Sequence, residues 1–139
     1  MLMQPRRQKY RRTFRAKIDM VASNGTKLSF GDYGIKAMEP SLISAKQIEA
    51  ARKKITHYTK RSGKVWVRMF PYHPRTEKAA GVKMGGGKGS VSGFASPIRA
   101  GRILFEIVGV PEDTAKEAFR LAGYKLPCKV KFVRKEDEF

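Results

Sequence analysis

Apolar residues recur along this chain with two distinct periods, and the switches between them mark out its elements. Ile48, Ala51, Ile55 and Tyr58 follow the three- and four-residue steps of one helical face. Ser44-Ala45-Lys46-Gln47 just before them matches a capping box, so a helix is expected from here to about Ser62, with Gly63 as its C-terminal cap. Lys64 to Phe70 then alternates, with Val65, Val67 and Met69 on one face and Trp66, Arg68 and Phe70 on the other. Pro71 and Pro74 stop this strand. Residues 99 to 109 predict a turn at Gly101 and a strand with Ile103, Phe105 and Ile107 on one side. Pro111, Glu112 and Asp113 open a second helix, whose stripe is Ala115, Ala118, Phe119 and Ala122 and whose end is Gly123. Residues 128 to 135 predict a last strand, and residues 26 to 40 two short ones around Gly31-Asp32-Tyr33-Gly34, ended by Pro40. No internal repeat is visible.

With 139 residues the chain is expected to form one domain with tails. Thirty Lys and Arg against twelve Asp and Glu leave 30 − 12 = +18. Such self-repulsion points to a permanent polyanionic partner. A membrane does not fit, because the longest uncharged run, Gly89 to Ile98, is far below the ~20 apolar residues of a span. Asp19, Ser23 and Asn24 interrupt the only candidate signal segment, and an organellar presequence fits the Ser-poor opening less well than a functional tail. The single cysteine, Cys128, excludes an internal disulfide, fits a reducing compartment and reads as a small residue in a strand.

The positive charge is concentrated in three places. Residues 1 to 17 carry Arg6, Arg7, Lys9, Arg11, Arg12, Arg15 and Lys17 without an acid, interleaved with Tyr10 and Phe14, which can stack on bases. On the first helix, Lys46, Lys53 and Lys60 are seven apart and drift only about 20° per step, with Lys54, His57 and Arg61 beside them. Glu49 is the only acid there, so a docked polyanion has to offset the repulsion. The third place is the glycine loop 82–93, VKMGGGKGSVSG. A phosphate-binding nucleotidase loop would need Gly where Val82 stands and Ser or Thr where Gly89 stands, and the dinucleotide pattern fails at Ser90 and Ser92. What remains is a backbone nearly free of side chains, carrying Lys83 and Lys88 and suited to close approach to a phosphate backbone. His57 and His73 have no carboxylate or cysteine at metal-ligand spacing, and neither Ser90 nor Ser92 lies in a nucleophile elbow. No catalytic residue, metal or cofactor is expected.

Taken together, MLMQPRRQKYRR, FGDYGIKAMEP, AKQIEAARKKIT, GKVWVRMFP, KMGGGKG and GRILFEIVGVPEDTAKEAFRLAGYKLP resemble, in order, successive segments of the bacterial L-sixteen family of large-subunit ribosomal proteins. The opening matches that family's M-L-x-P-K-R-T-K-[FY]-R-K with one residue inserted. The resemblance implies an α+β fold, two helices packed on a mainly antiparallel β-sheet, with a basic extended N-terminal tail (1–20), a long glycine-rich loop (82–93) and an acidic tail (136–139). It implies binding to large-subunit rRNA beside the peptidyl-transferase region, contact with A-site tRNA, and a possible second contact with P-site tRNA. By the same analogy the tail and helix face hold rRNA, while Lys83, Met84, Gly85, Gly86, Gly87, Lys88 and Gly89 reach towards the functional centre. Neighbouring large-subunit proteins are implied as partners; no homo-oligomer is expected. The host ribosome would be bacterial and cytoplasmic, with an organellar one as the alternative. Two departures stand out. Lys83 replaces an arginine that is hydroxylated in some bacteria, and VSGFASPI replaces a segment that usually carries an acid and a Tyr-Trp pair. The other readings are a stand-alone nucleic-acid-binding module or chaperone and, more weakly, an RNA-acting enzyme, for which no acid-base pair is found.

Overall fold

In the computed structural model, which describes residues 3–138, the chain runs through β1 (Tyr33–Ala37), β2 (Ser41–Ser44), α1 (Ala45–Tyr58), β3 (Lys64–Val67), β4 (His73–Glu77), β5 (Ser90–Ile98), β6 (Ile103–Val108), α2 (Glu112–Gly123) and β7 (Val130–Arg134). Met1 and Leu2 of the basic opening and Phe139 of the acidic tail lie outside the described residues. The strands form two antiparallel sheets rather than the single sheet expected, ordered β3-β6-β1-β7 and β2-β5-β4. The α+β class holds, and residues 3–32 contain neither helix nor strand.

Both helices bury the stripes their spacing predicts. Ile48, Ala51 and Ile55 of α1, together with Ala115, Ala118, Phe119 and Ala122 of α2, join Ile35, Ile43, Ile98, Leu104, Phe105 and Ile107 from both sheets in one core. Each large apolar side chain buried there contributes about 1.5–3 kcal/mol. Tyr58, placed on the same stripe by its spacing, is 40% exposed instead. Ser44 caps α1 as predicted: its hydroxyl accepts from Gln47 N–H, and the Gln47 amide oxygen accepts from Ser44 N–H.

Several expectations are corrected. The first helix stops at Tyr58, four residues early, with Thr59 as its C-cap and the Thr59 hydroxyl donating to the Ile55 carbonyl. Lys60 and Arg61 then enter the left-handed region, at φ of 54° and 62°, where their N–H groups donate to His57 and Thr56 carbonyls. Gly63 is therefore not the cap. It is needed because a Cβ there would lie 2.2 Å from the Val108 carbonyl oxygen of the neighbouring strand.

The strand expected before Gly31 is also absent. The N–H groups of Ser29, Phe30 and Gly31, which a ladder would require, all donate to one carboxylate oxygen of Glu106, at 2.9, 2.9 and 3.0 Å. Glu106 is fully buried, and at 3.1 Å the Arg68 guanidinium reaches its other oxygen as an ion pair rather than an aligned hydrogen bond. Finally, residues 90–93 of the expected glycine loop belong to β5, and the chain between Pro71 and Pro74, expected only to end a strand, starts β4 at His73. The Lys64 to Phe70 strand is shortened to Val67, and Cys128 sits buried just ahead of β7 rather than within it.

Candidate nucleic-acid interface

The glycine loop is the connection of a β-hairpin. Glu77 at the end of β4 pairs with Ser90 at the start of β5, so residues 78–89 leave and return at one point. Within it residues 81–88 are all exposed, and Met84 is 94% exposed. The glycines divide into two kinds. Gly85, Gly86 and Gly87 adopt φ of 101°, 77° and 95° with open space around them, so they are required for chain direction. Gly89 has an ordinary φ, but a Cβ there would lie 2.4 Å from the Glu77 carbonyl oxygen, so it is required for closing the hairpin.

Own-chain contacts fasten the base of the loop and reach the tip only at the Gly85 carbonyl, leaving the Lys83 and Met84 side chains bare among the described residues. Lys88 Nζ donates to the Thr13 carbonyl, and Arg12 Nε donates to the Gly89 carbonyl at 3.3 Å. Lys78 Nζ donates to the Gly85 carbonyl. Lys88 thus ties the tail to the loop, whereas Lys83 makes no ion pair or hydrogen bond among the described residues.

Along the tail, Arg6, Arg7, Lys9, Arg11, Arg12 and Arg15 are exposed, as are Tyr10 and Phe14. Lys9 Nζ lies 5.5 Å from the Tyr10 ring centroid. On α1, Lys46, Lys53 and His57 are exposed and Lys54 is half-buried. Glu49 is taken up by Arg52, whose hydrogen bond holds the Glu49 carboxyl below its usual range. No acid on the helix remains to neutralise the other cations. Lys60 and Arg61 are exposed as well, but they leave the helical face and sit in the left-handed turn that follows it. A non-glycine residue held there costs about 1–2 kcal/mol. Among the described residues, ion pairs form only at Glu49, Glu106, Glu112, Glu117 and Asp137, so neither the tail nor the loop is charge-paired.

Two cavities bring these regions together. A groove of about 640 Å³ sets Lys46 and Lys53 of α1 beside Arg75 of β4, with Gln4 of the tail and Gly93 of β5 at its wall. A hollow of about 460 Å³ is lined by Lys17, Asn24, His73, Arg99 and Arg102, with no carboxylate among its lining residues. Arg75, Arg99, Arg102 and His73 were not candidates on sequence grounds. Their signal is weak: His73 and Arg75 lie in a strand, and Arg99 just after one, that the residue pattern does not reveal, and Arg102 stands in the turn before β6 with nothing to mark it as a contact residue. Burial, and after it the Lys88 ammonium, lowers the His73 pKa, which favours the neutral ring. Among the described residues no cluster of three or more His, Cys, Asp or Glu could hold a metal, and no helix is long and apolar enough to cross a membrane. Chemically, the arrangement offers guanidinium, ammonium and backbone N–H donors to phosphates, with exposed rings for bases.

Comparison with known proteins agrees with this geometry. The family model for ribosomal protein L16p/L10e matches residues 5–133. The chain is 53% identical over 137 residues to large ribosomal subunit protein uL16 of Streptococcus uberis, covering 99% of this chain and 100% of that one. It is 52% identical over 136 residues to the protein of the same name from Listeria welshimeri, covering 98% and 94%, and 52% identical over 134 residues to that of Bartonella henselae, covering 96% and 98%. With the family pattern spanning tail, loop and both helices, and identity near one half from end to end, the chain belongs to the ribosomal protein L16p/L10e family.

Proposed function

We propose that this chain is a structural constituent of the large subunit of a bacterial-type cytoplasmic ribosome, where it holds rRNA and presents its glycine loop to tRNA. The family is one of ribosomal structural components rather than enzymes. In this reading the tail cations Arg6 to Arg15, the α1 cations and the Lys60-Arg61 turn neutralise large-subunit rRNA phosphates. The loop tip, Lys83 to Gly87, extends towards A-site tRNA beside the peptidyl-transferase region, with P-site tRNA as a second contact.

The observation that carries this reading is the contrast between loop base and loop tip. The base is closed by Gly89 packing on Glu77 and by the tail contacts of Arg12 and Lys88. At the tip a side chain on Gly85, Gly86 or Gly87 would meet open space, Lys78 alone reaches back to the Gly85 carbonyl, and Lys83 is free of ion pairs among the described residues. A rigid stem with a bare cationic end suits contact with a phosphate backbone that must bind and leave. Replacing Lys83 with Glu is expected to leave incorporation into large subunits intact while disturbing A-site tRNA placement, read by footprinting or single-molecule transfer efficiency. A variant defective only in subunit assembly would overturn the assignment of the tip.

A further inference from the structure

Outside the tail, α1 and the loop, the exposed face of β3 carries a second aromatic and cationic surface. β3 is an edge strand, hydrogen-bonded only to β6. Its inward residues Val65 and Val67, with Met69 beyond it, pack on the core, so the alternation turns Lys64, Trp66, Arg68 and Phe70 outward. Phe30, from the segment clasped by Glu106, stacks on Trp66 with ring centroids 5.8 Å apart and planes 21° apart. Lys64 Nζ stands 5.2 Å from the Trp66 ring, and the Arg68 guanidinium 5.7 Å from the Phe30 ring. Phe30 is 58% exposed and Phe70 47%. Together with Met3, Met69 and Arg102 they line a groove of about 490 Å³, within the size range of small-ligand clefts.

We propose that this face is a further RNA-contact site, in which an unpaired nucleobase stacks on the Phe30–Trp66–Phe70 platform while Lys64 and Arg102 engage the flanking phosphates; it rests on the reading that the chain binds RNA. The platform is preorganised. Three consecutive N–H groups hold the Phe30 segment to Glu106, and Arg68 is fixed between that carboxylate and the Lys27 carbonyl, to which it donates at 2.6 Å. Glu106 is fully buried and neutralises Arg68, which leaves Arg102 in the groove and Lys64 beside it as the unpaired cations, with no exposed acid among the lining residues. That charge favours a nucleic acid over the apolar segment of another protein. Phe70, which no other ring or cation covers among the described residues, offers the open face, and stacking there is tolerant of base identity, so an unpaired base of any sequence fits, whereas a duplex, whose bases are already stacked, does not.

Trp66 is the only tryptophan in the chain, so its emission reports on this face alone. The full-length protein is titrated with an unstructured 12-nucleotide RNA carrying a terminal dye, following dye anisotropy and tryptophan emission together, and with a blunt RNA duplex for comparison. The expected result is quenching by the single strand with the midpoint given by anisotropy, and no quenching by the duplex even where it binds. Phe30→Ala combined with Phe70→Ala should weaken single-strand binding about tenfold. If the Phe30 change disturbs folding, as judged by circular dichroism, Phe70→Ala alone carries the comparison. Single-strand binding with unchanged Trp66 emission, or undiminished affinity in the Phe variants, overturns the proposal and leaves the wider RNA reading standing. Absence of any anisotropy change with either RNA overturns both.

Discussion

Replacing Gly85, Gly86 and Gly87 together with Ala separates the work of the loop from the work of the fold. At φ of 101°, 77° and 95° each alanine would carry about 1–2 kcal/mol of backbone strain, or roughly 3–6 kcal/mol for the three if the loop kept its course. Nothing lies within 4 Å of the three new methyl groups, and residues 81–88 are exposed, so the loop relieves the strain by taking another path. The melting temperature of the isolated protein should therefore change by less than about 2 °C. Gly89→Ala is the counterpart. Its Cβ would sit 2.4 Å from the Glu77 carbonyl oxygen and 2.6 Å from the carbonyl carbon, backbone atoms that cannot turn aside. Overpacking of this kind costs about 1–3 kcal/mol, or a fall of roughly 3–10 °C. Thermal unfolding followed by circular dichroism compares the two variants, and tRNA binding to subunits carrying each one supplies the second readout. The triple variant should fold normally and fail in tRNA handling. A triple variant that melts as early as Gly89→Ala, or that handles tRNA normally, would refute the division between stem and tip.

Two further outcomes follow from the same contacts. Glu106→Gln removes the charge that three N–H groups and Arg68 share. It should cost about 3 kcal/mol, the lower end for breaking a buried pair because Arg68 is partly exposed, and lower the melting temperature by roughly 10 °C; a shift under about 2 °C would contradict the clasp. His73, whose pKa is lowered by burial and by Lys88, binds its proton less readily folded than unfolded. Stability is therefore retained above the unfolded-chain value near 6.5 and declines as pH falls below it, and His73→Gln should flatten denaturant-measured stability between about pH 7 and 5.5.

How far the residue pattern reveals the molecule depends on where each element draws its stability. The stripes of α1 and α2 and the alternation of β3 were legible because burial imposes a period on them; β6 was legible as a strand, but it is buried continuously from Ile103 to Ile107, and Ile103 joins Leu28 and Val133 rather than Phe105 and Ile107. β4 and β5 were not. HPRTE and SVSGFASPI are sparse in β-branched and aromatic residues and interrupted by Pro74, Gly93 and Pro97, and long-range pairing holds them in place. Pro74 is tolerated because β4 is an edge strand, and Pro97 because β4 pairs β5 only as far as Ala95, leaving β2 as its sole neighbour. With those strands hidden, the groove residue Arg75 and the hollow residues His73, Arg99 and Arg102 could not be placed beside α1 and the tail. The left-handed Lys60-Arg61 turn was hidden for a different reason. Helical spacing continues through both residues, and the end shows only in the backbone, where positive φ at two non-glycine residues turns their N–H groups onto the His57 and Thr56 carbonyls.

The most direct measurement is the salt dependence of the protein's residence on the large subunit. Lysate is sedimented through gradients of rising monovalent salt, and affinity of the purified chain for large-subunit rRNA is measured across the same range. The protein should travel with the large subunit at low salt and be stripped as salt rises. Its affinity for free rRNA should fall about a thousandfold between roughly 50 and 200 mM if six or more phosphates are neutralised. Recovery mainly at the top of the low-salt gradient, or affinity for rRNA indifferent to salt, would contradict a ribosomal protein anchored by its unpaired cations.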